Sequence, residues 1–229
     1  MYSLNNKFFE SIDCELKAYW LGFLFADGCV LESFNKYTGA LKAMRLQLSL
    51  AEKDIEHVKN FKHDIESGAP ISKNIIHLDS KIYNSAKITI CNTKMCRDLI
   101  SLNCVPRKSL ILEYPTDKIP SEFECDFIRG YFDGDGAISL SYYNNSPNLY
   151  SNILGTDNMC DNIIKILSKN DIISYKHHYK NSVPEIRVSG RQNIYNYYNF
   201  MYRSGNAIRY LQRKYDKFQQ IFHELNIGV

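Results

Sequence analysis

The chain has 229 residues, of which 45% are hydrophobic and 23% are charged, a composition typical of a folded protein with a sizeable core. Its formal net charge of +3 permits an anionic partner without requiring one. The seven cysteines form no CxxC pair, and no apolar run approaches the roughly 18 residues of a membrane-spanning helix. These features disfavour a disulfide framework, a zinc site and a membrane protein. We therefore expect an intracellular protein in a reducing compartment.

The first predicted element is an apolar helix that ends on an acidic residue. The sequence YWLGFLFADG, residues 19–28, is almost wholly apolar up to Asp27 and its following glycine. The pattern returns as FIRGYFDGDG, residues 127–136, in which Asp135 follows Asp27 by 108 residues (135 − 27). A carboxylate at the C-terminal end of a helix is disfavoured by the helix dipole. Its recurrence therefore predicts two acids that hold divalent cations.

Small residues recur on one face of both of these helices. Gly22 and Ala26 lie four residues apart in the first, and Gly130 and Gly134 hold the corresponding positions in the second. A glycine inside a helix costs about 1 kcal/mol relative to alanine, so its recurrence needs a reason. We expect the two helix backbones to pack closely at these four positions, which brings the two acids together.

The elements that follow each helix repeat in the same order. In the first half they are strands at 29–35 and 43–50, a helix at 51–66, strands within 72–79 and 86–91, and a helix at 93–102. In the second half they are strands at 137–143 and 149–154, a helix at 157–170, strands at 173–180 and 184–189, and helices at 191–203 and 206–225. Four alternating strands per half predict an antiparallel sheet with one face on helices.

The predicted fold class is therefore α+β, with two pseudo-symmetric αββαββα repeats that pack through the two acid-bearing helices. The segment EYPTDKIPS, residues 113–121, carries two prolines and is predicted to be the linker. The domains are then an N-terminal repeat at 1–112 and a C-terminal repeat at 122–229.

The two helix sequences resemble a known pair of motifs. WLGFLFADG (20–28) and IRGYFDGDG (128–136) resemble the two copies of the LAGLIDADG motif in single-chain homing endonucleases, and the order of elements in each half is similar to that family's repeat. The resemblance covers nearly the whole chain, from about 15 to 225. It implies that Asp27 and Asp135 coordinate metal ions, with the carbonyl groups of Ala26 and Gly134 as further ligands. Asp133, at a position that varies in the family, is given no catalytic role.

The resemblance also implies a basic residue near each acid. Lys108 in CVPRKSLILEYP stands upstream of the second motif, and Lys214 in YLQRKYDKF holds the similar place in the second half. They follow the acids of their own halves by 81 (108 − 27) and 79 (214 − 135) residues. The preceding residues, Arg107 and Arg213, stay open as alternatives. The predicted role is to polarise solvent or to stabilise the transition state electrostatically.

The exposed faces of the sheets are predicted to bind DNA. A two-stranded ribbon fits the major groove, where arginine and lysine pair with guanine and glutamine pairs with adenine. Alternation in the strands places on this face the residues Arg45, Gln47, Ser49, Lys87, Thr89, Lys176, His178, Lys180, Arg187 and Ser189.

The predicted function is a monomeric, site-specific endonuclease that makes double-strand breaks in DNA. The resemblance implies about two or three Mg²⁺ ions, with Mn²⁺ as a substitute. It also implies a long asymmetric target, and a location in a prokaryotic or phage-infected cytoplasm or in an organelle matrix. Two alternatives on the same fold stay open: an intron RNA-binding maturase, with or without endonuclease activity, and a DNA-binding regulator that does not cleave.

Overall fold

The computed structural model describes residues 2–78, 81–180 and 182–228, and each half has the same order of elements. The N-terminal half consists of α1 (Glu15–Asp27), β1 (Gly28–Phe34), β2 (Leu41–Ala51), α2 (Ile55–Asp64), β3 (Ile71–Leu78), β4 (Lys81–Ile90) and α3 (Thr93–Ser101). The C-terminal half consists of α4 (Glu124–Asp135), β5 (Gly136–Tyr143), β6 (Ser146–Leu154), α5 (Asp157–Lys169), β7 (Ser174–His177), β8 (Glu185–Ser189), α6 (Arg191–Met201) and α7 (Gln212–Leu225).

The two sheets are antiparallel and have equivalent strand orders, β1-β2-β4-β3 and β5-β6-β8-β7. In β2, Met44, Leu46 and Leu48 are buried against the helices, while Arg45 on the other face is exposed. This alternation leaves one polar face on each sheet. The predicted α+β class with two pseudo-symmetric repeats is confirmed. Nowhere in the described residues is there a helix both long enough and apolar enough to cross a membrane.

Helices α1 and α4 form the contact between the halves, and their glycines allow the backbones to touch. A Cβ atom added to Gly22 would lie 2.0 Å from the carbonyl oxygen of Phe127, and one added to Gly130 would lie 2.0 Å from that of Tyr19. Nearer the helix ends, a Cβ on Gly134 would lie 2.1 Å from the Cβ of Ala26. The structure therefore places all four small residues of the two motifs at the helix crossing.

The segment before α7 departs from the predicted helix at 206–225. Regular helix begins only at Gln212, because polar groups of the preceding residues bond across to the N-terminal half and to α4 instead of to their own turn. Arg209 donates to both carboxylate oxygens of Asp64 at 2.8 Å, and the backbone N–H of Leu211 donates to Asp133 at 2.7 Å. This segment therefore runs along the paired helices toward their C-terminal ends.

Two further elements differ in extent from the prediction. The predicted helix at 51–66 begins as a 3-10 turn at Glu52–Asp54, and the α-helix covers only Ile55–Asp64. Strand β7 covers four residues, Ser174–His177, where a strand at 173–180 was predicted. Residues 111–120, which include most of the predicted linker, contain neither helix nor strand and connect the halves.

Candidate active site

The two motif aspartates are the last residues of α1 and α4, and the close helix crossing brings them together. Oδ2 of Asp27 lies 3.4 Å from the position of a Cβ built on Gly134 of the opposite helix. Loss of contact with water raises the pKa of Asp27 to about 6, and the negative charge of Asp135 adds to the effect. Burial also raises the pKa of Asp135. The two carboxylates therefore lie close enough for the charge of Asp135 to disfavour ionisation of Asp27.

Solvent still reaches both carboxylates. Asp27 and Asp135 are exposed to solvent, although protein atoms surround them on most sides. The helix ends form the floor of an open site. Protein atoms therefore pack beneath the two carboxylates, while solvent reaches them from the opposite side. Desolvation is then partial, and ions and substrate have access.

Two buried lysines close the C-terminal ends of the motif helices. Nζ of Lys108 donates to the carbonyl oxygens of Gly28 at 2.6 Å and Ala26 at 3.2 Å. Lys108 is only 9% exposed. The ammonium therefore satisfies carbonyl groups that have no partner inside the helix and neutralises the negative end of the helix dipole.

Lys214 makes the equivalent contacts in the second half. Its Nζ donates to the carbonyl oxygens of Phe132 at 2.7 Å, Gly136 at 2.5 Å and Gly134 at 3.4 Å. Burial lowers the pKa of Lys214 to about 8, so the ammonium form depends on the carbonyl oxygens and carboxylates around it. Each motif helix can therefore end on an aspartate because a lysine from later in the same half compensates its negative end.

The lysines, rather than the neighbouring arginines, reach the helix ends. Arg107 is exposed and has a left-handed backbone with φ of 56°, and Arg213 points to Asp54 with an Nε–carboxylate distance of 3.0 Å. The ammonium groups contact main-chain oxygens, so their direct effect is to hold the helix ends. Both lysine charges also lower the pKa of Asp27 and of Asp135. The metal-ligand role of the Ala26 and Gly134 carbonyl groups stays a prediction.

Replacing Lys214 by methionine is expected to reduce stability in the absence of DNA and metal. The carbonyl groups of Gly134 and Gly136 would lose this donor, while that of Phe132 keeps the bond from the Gly136 N–H. Loss of the desolvated ammonium offsets part of the cost, and we expect a net loss of about 1–3 kcal/mol in the free energy of unfolding. Urea denaturation at pH 7 measures the change. Lys217→Met, on the exposed face of the same helix, is the matched control and should change the free energy of unfolding by less than about 0.5 kcal/mol. Equal stability of the two variants would show that the ammonium does not stabilise the helix end.

A buried polar chain links the halves beneath the aspartates. Asp133 is fully buried, and its Oδ2 accepts hydrogen bonds from the Tyr19 hydroxyl at 2.9 Å and from the backbone N–H of Leu211 at 2.7 Å. The Tyr19 oxygen also lies 2.9 Å from Nε2 of His57, whose pKa burial lowers to about 3, so the ring is neutral. Asp133 therefore anchors the segment that leads to Lys214.

The pseudo-symmetric counterpart of this contact is apolar. Phe25 stands where the second motif has Asp133, and its ring packs against Phe127 with centroids 5.1 Å apart. Sequence comparison of the two motifs showed the difference between Phe25 and Asp133 but assigned no role to it. Tyr19, which stands where the second motif has Phe127, could have indicated the positioning role of Asp133. A buried tyrosine hydroxyl needs a polar partner, and Asp133 supplies one.

The donor set suits a hard divalent ion that keeps part of its water shell. In the part of the chain that the structure describes, no three His, Cys, Asp or Glu side chains gather into a metal-binding group. Asp27 and Asp135 are thus the available side-chain ligands, and the remaining ligands would be water and substrate oxygens. Mg²⁺ binds in this manner, through one or two carboxylates plus phosphate oxygens. The mutual repulsion of the carboxylates gives such an ion a charge to neutralise.

Replacing Asp27 by asparagine is expected to stabilise the metal-free protein in a pH-dependent manner. The folded pKa of about 6 lies above the unfolded value of 3.8, so the native state binds the proton more tightly. The stability that Asp27 contributes is complete below pH 3.8 and is lost as the pH rises through 6. Asparagine does not ionise, so the free energy of unfolding of the variant relative to the parent should increase as the pH rises from about 4 to 6. Solvent screening limits the gain to less than about 1 kcal/mol.

Urea denaturation of parent and variant in EDTA between pH 4 and 8 checks this sign. Asp157→Asn is the control of opposite sign, because hydrogen bonds from Lys176 and His178 lower the pKa of Asp157. An advantage of Asp27→Asn that is largest at pH 4 would contradict the raised pKa.

The polar face of the N-terminal sheet carries the residues that alternation predicted there. Gln47 lies opposite Thr89 across β2 and β4, and its Nε2 donates to the Thr89 hydroxyl at 3.3 Å. Ser49 lies opposite Lys87 in the same pair of strands, and Arg45 follows on the exposed face of β2. This face starts at β1, directly after Asp27, so it extends from the candidate metal site.

The polar face of the C-terminal sheet is built around Arg187. In register across the strands, Arg187 lies between Asn152 and Tyr175. Its guanidinium carbon lies 4.9 Å from the centre of the Tyr150 ring, and Nη2 donates to the Tyr179 hydroxyl at 2.5 Å. Ser189, at the exposed end of β8, lies opposite Tyr150.

The prediction that Lys176, His178 and Lys180 share this polar face is wrong for β7. Lys176 pairs with buried Ile186, so it points to the helix side, where its Nζ lies 2.7 Å from Asp157 and 2.8 Å from Asp161. His178 lies beyond the strand with Nε2 3.3 Å from the same Asp157. Lys180 lies in the turn that follows. The polar side of β7 therefore presents Tyr175 and His177.

The fold and the site together define a class of protein. Two helices cross closely, each ends on an aspartate, and each is followed by a four-stranded sheet with an exposed polar face. Comparison with solved structures identifies the fold as that of the LAGLIDADG homing endonucleases in the single-chain form with two motifs. No protein-family profile matches the chain, and no curated protein matches it. The likeness is therefore one of fold, found at low sequence identity.

Three solved structures show the extent of the likeness. The homing endonuclease I-LtrWI bound to target DNA is 13% identical, with a TM-score of 0.62 over 93% of this chain and 91% of that chain. The meganuclease I-SmaMI bound to uncleavable DNA is 13% identical, with a TM-score of 0.58 over 82% and 85%. The meganuclease I-AabMI bound to uncleaved DNA is 16% identical, with a TM-score of 0.53 over 81% and 83%.

Proposed function

We propose that the protein is a site-specific endonuclease that hydrolyses both strands of duplex DNA with divalent metal ions. The observation that carries this proposal is the convergence of Asp27 and Asp135 at the ends of two crossing helices, each closed by a buried lysine. A purely structural helix end has no need of two repelling carboxylates. The DNA-bound state of I-LtrWI, I-SmaMI and I-AabMI supports duplex DNA as the substrate.

The chain's own residues prepare the site for phosphodiester hydrolysis. Asp27 and Asp135 would hold about two or three Mg²⁺ ions, with Mn²⁺ as a substitute. When bound, Mg²⁺ supplies charge neutralisation at the phosphate and activation of water. Lys108 and Lys214 keep the helix ends closed and favour the ionised form of both carboxylates. The crossing glycines set the separation of the two carboxylates, and hence the separation of the two scissile phosphates that they serve.

The polar sheet faces would position the DNA over this floor. The two faces differ in sequence at most exposed positions, so one chain presents two different reading surfaces. A monomer that uses both faces at once fits a long asymmetric target. Gln47 and Thr89 on one face, and Asn152 and Arg187 on the other, would then meet base edges or phosphates in a groove.

A cleavage selection tests the proposal. The purified protein is incubated with a library of duplex targets in Mg²⁺, in Mn²⁺ and in Ca²⁺, and the ends of the products are sequenced. We expect double-strand breaks with staggered 3′ overhangs at one sequence in Mg²⁺ and Mn²⁺. I-SmaMI has been crystallised with uncleaved DNA in the presence of calcium ions, which makes Ca²⁺ the natural non-cleaving control.

Two outcomes would contradict the proposal. Tight binding of intron RNA, with no cut duplex under any metal condition, would instead support a maturase. Sequence-specific duplex binding without cleavage in either Mg²⁺ or Mn²⁺ would instead support a DNA-binding regulator.

A further inference from the structure

The two polar sheet faces carry positive charge in different ways. On the N-terminal face, Arg45 lies on β2, and Lys87 lies on β4 opposite Ser49, four residues along β2 from Arg45. Among the described residues, no carboxylate oxygen lies within 4 Å of either cationic group. Their charges are therefore neutralised only by solvent ions in the free protein.

On the C-terminal face the positive charge is already paired. Of the lysines and arginines in β5 to β8, Arg187 alone points to the polar side, because Lys176 lies on the helix side. Nε of Arg187 lies 2.9 Å from Oε1 of Glu185, whose residue is only 5% exposed. The Nε–H bond of Arg187 does not point at this oxygen, so the contact is an ion pair without a well-directed hydrogen bond. Asn152 holds the other oxygen of Glu185 through its Nδ2 at 2.7 Å.

The Arg187 side chain is also held in place before any ligand binds. Its guanidinium stacks over Tyr150, and Nη2 bonds to the Tyr179 hydroxyl. Among the described residues Nη1 makes no well-directed hydrogen bond, although the Tyr175 hydroxyl lies beside the same guanidinium. A planar guanidinium with little rotamer freedom suits the paired acceptors O6 and N7 of guanine.

Paired and unpaired cations respond differently to salt. Each unpaired cation that neutralises a phosphate releases counterions, which steepens the fall of log K with log salt by about 0.9 for duplex DNA. A cation already neutralised by a buried carboxylate adds little to this slope. Its contribution is a directional hydrogen bond, which depends on the base that it meets.

We propose that the halves divide these tasks, with Arg45 and Lys87 of the N-terminal face supplying ionic hold on the DNA and the Arg187–Glu185 pair of the C-terminal face reading a guanine with little ionic affinity. This rests on the proposed function, since it requires one duplex to cross both faces. It deepens that function by assigning affinity and base discrimination to different residues of the same interface.

Salt titrations of DNA binding test the division. Fluorescence anisotropy in Ca²⁺ with a random-sequence duplex gives the slope of log K against log salt for each variant. Arg45→Ala and Lys87→Ala should each reduce the slope by about 0.9, whereas the double variant Arg187→Ala/Glu185→Gln, which removes the neutral pair as a whole, should leave it within about 0.3. Glu185→Gln is the matched variant of opposite sign. It leaves the guanidinium without its counter-charge and should steepen the slope by about 0.9.

Base preference is then read with the target found by cleavage selection. Arg187→Ala should relax the preference at one guanine of the half-site under the C-terminal sheet, while Arg45→Ala and Lys87→Ala weaken binding across sequences. Urea denaturation establishes which variants fold, and if Glu185→Gln alone does not, the slope of the double variant Arg187→Ala/Glu185→Gln decides. A slope reduction for the double variant Arg187→Ala/Glu185→Gln equal to that of Arg45→Ala would overturn the division alone. Salt-independent or absent duplex binding by the parent protein would overturn the proposed function as well.

Discussion

Asp27→Asn and Asp135→Asn are each expected to reduce double-strand cleavage by at least about 100-fold, because each removes a charged ligand from the site where phosphate charge must be neutralised. DNA binding should remain within a few-fold of the parent, since in the proposed complex the sheet faces and not the helix ends would supply most of the contact surface. Cleavage of a supercoiled plasmid that contains the selected target measures the loss, and anisotropy in Ca²⁺ measures binding.

The matched control is Asp133→Asn, two residues before Asp135 on the same helix. Its carboxylate is buried and accepts bonds from Tyr19 and Leu211, and an asparagine oxygen can accept the same two bonds. Cleavage should therefore stay within about threefold of the parent, a far smaller effect than the loss of a charge at the proposed metal site. Equal losses from Asp133→Asn and Asp135→Asn would remove the reason to single out the closing aspartates, and a large loss of duplex affinity in Asp27→Asn would contradict its assignment to metal.

Gly22→Ala and Gly130→Ala are expected to prevent folding at 37 °C or to cost more than about 4 kcal/mol in the free energy of unfolding. The added Cβ would lie 2.0 Å from a backbone oxygen of the opposite helix in each case, and backbone cannot move aside as a flexible side chain can. The helices would have to separate, which also moves the two carboxylates apart. Circular dichroism and urea denaturation measure the loss.

Gly39→Ala provides the comparison for these variants. Gly39 has a φ of +69° and nothing within 4 Å of an added Cβ, so alanine there costs only the left-handed backbone, about 1–2 kcal/mol. If Gly22→Ala were no more destabilising than Gly39→Ala, the close approach of α1 and α4 would be incorrect.

Local patterns predicted the elements that depend on neighbouring residues in the chain. The alternation in AMRLQLSL places Arg45, Gln47 and Ser49 on the exposed face of β2, as the structure shows. The same reasoning assigned the residues of β7 to the wrong faces. This four-residue edge strand carries aromatic residues on its polar face and Lys176 on the face that packs against helices. The register with β8 and the acids of α5 decide that orientation, and both lie outside the strand's own sequence.

Segment 206–211 shows a second limit of local patterns. Its residues continue an apolar and basic pattern compatible with helix, yet Arg209 and Leu211 bond to Asp64 and Asp133, which are distant in sequence. The bond to Asp133 satisfies the Leu211 backbone N–H, which a helix turn would otherwise satisfy, and the Arg209 guanidinium ties the segment to α2. A segment whose polar partners come from another part of the fold cannot be assigned from its own propensities.

The amino-acid sequence by itself determined the duplication, the α+β repeat, the glycine face of both motif helices and the two acids at their ends. These features follow from spacing and periodicity, which are written along the chain. Only the tertiary structure decided that Lys108 and Lys214 close the helix ends through carbonyl oxygens, that Asp133 anchors the segment before α7, and that Arg187 is neutralised by Glu185. Each of these depends on distances between residues brought together by packing, and packing joins groups that the linear order keeps apart.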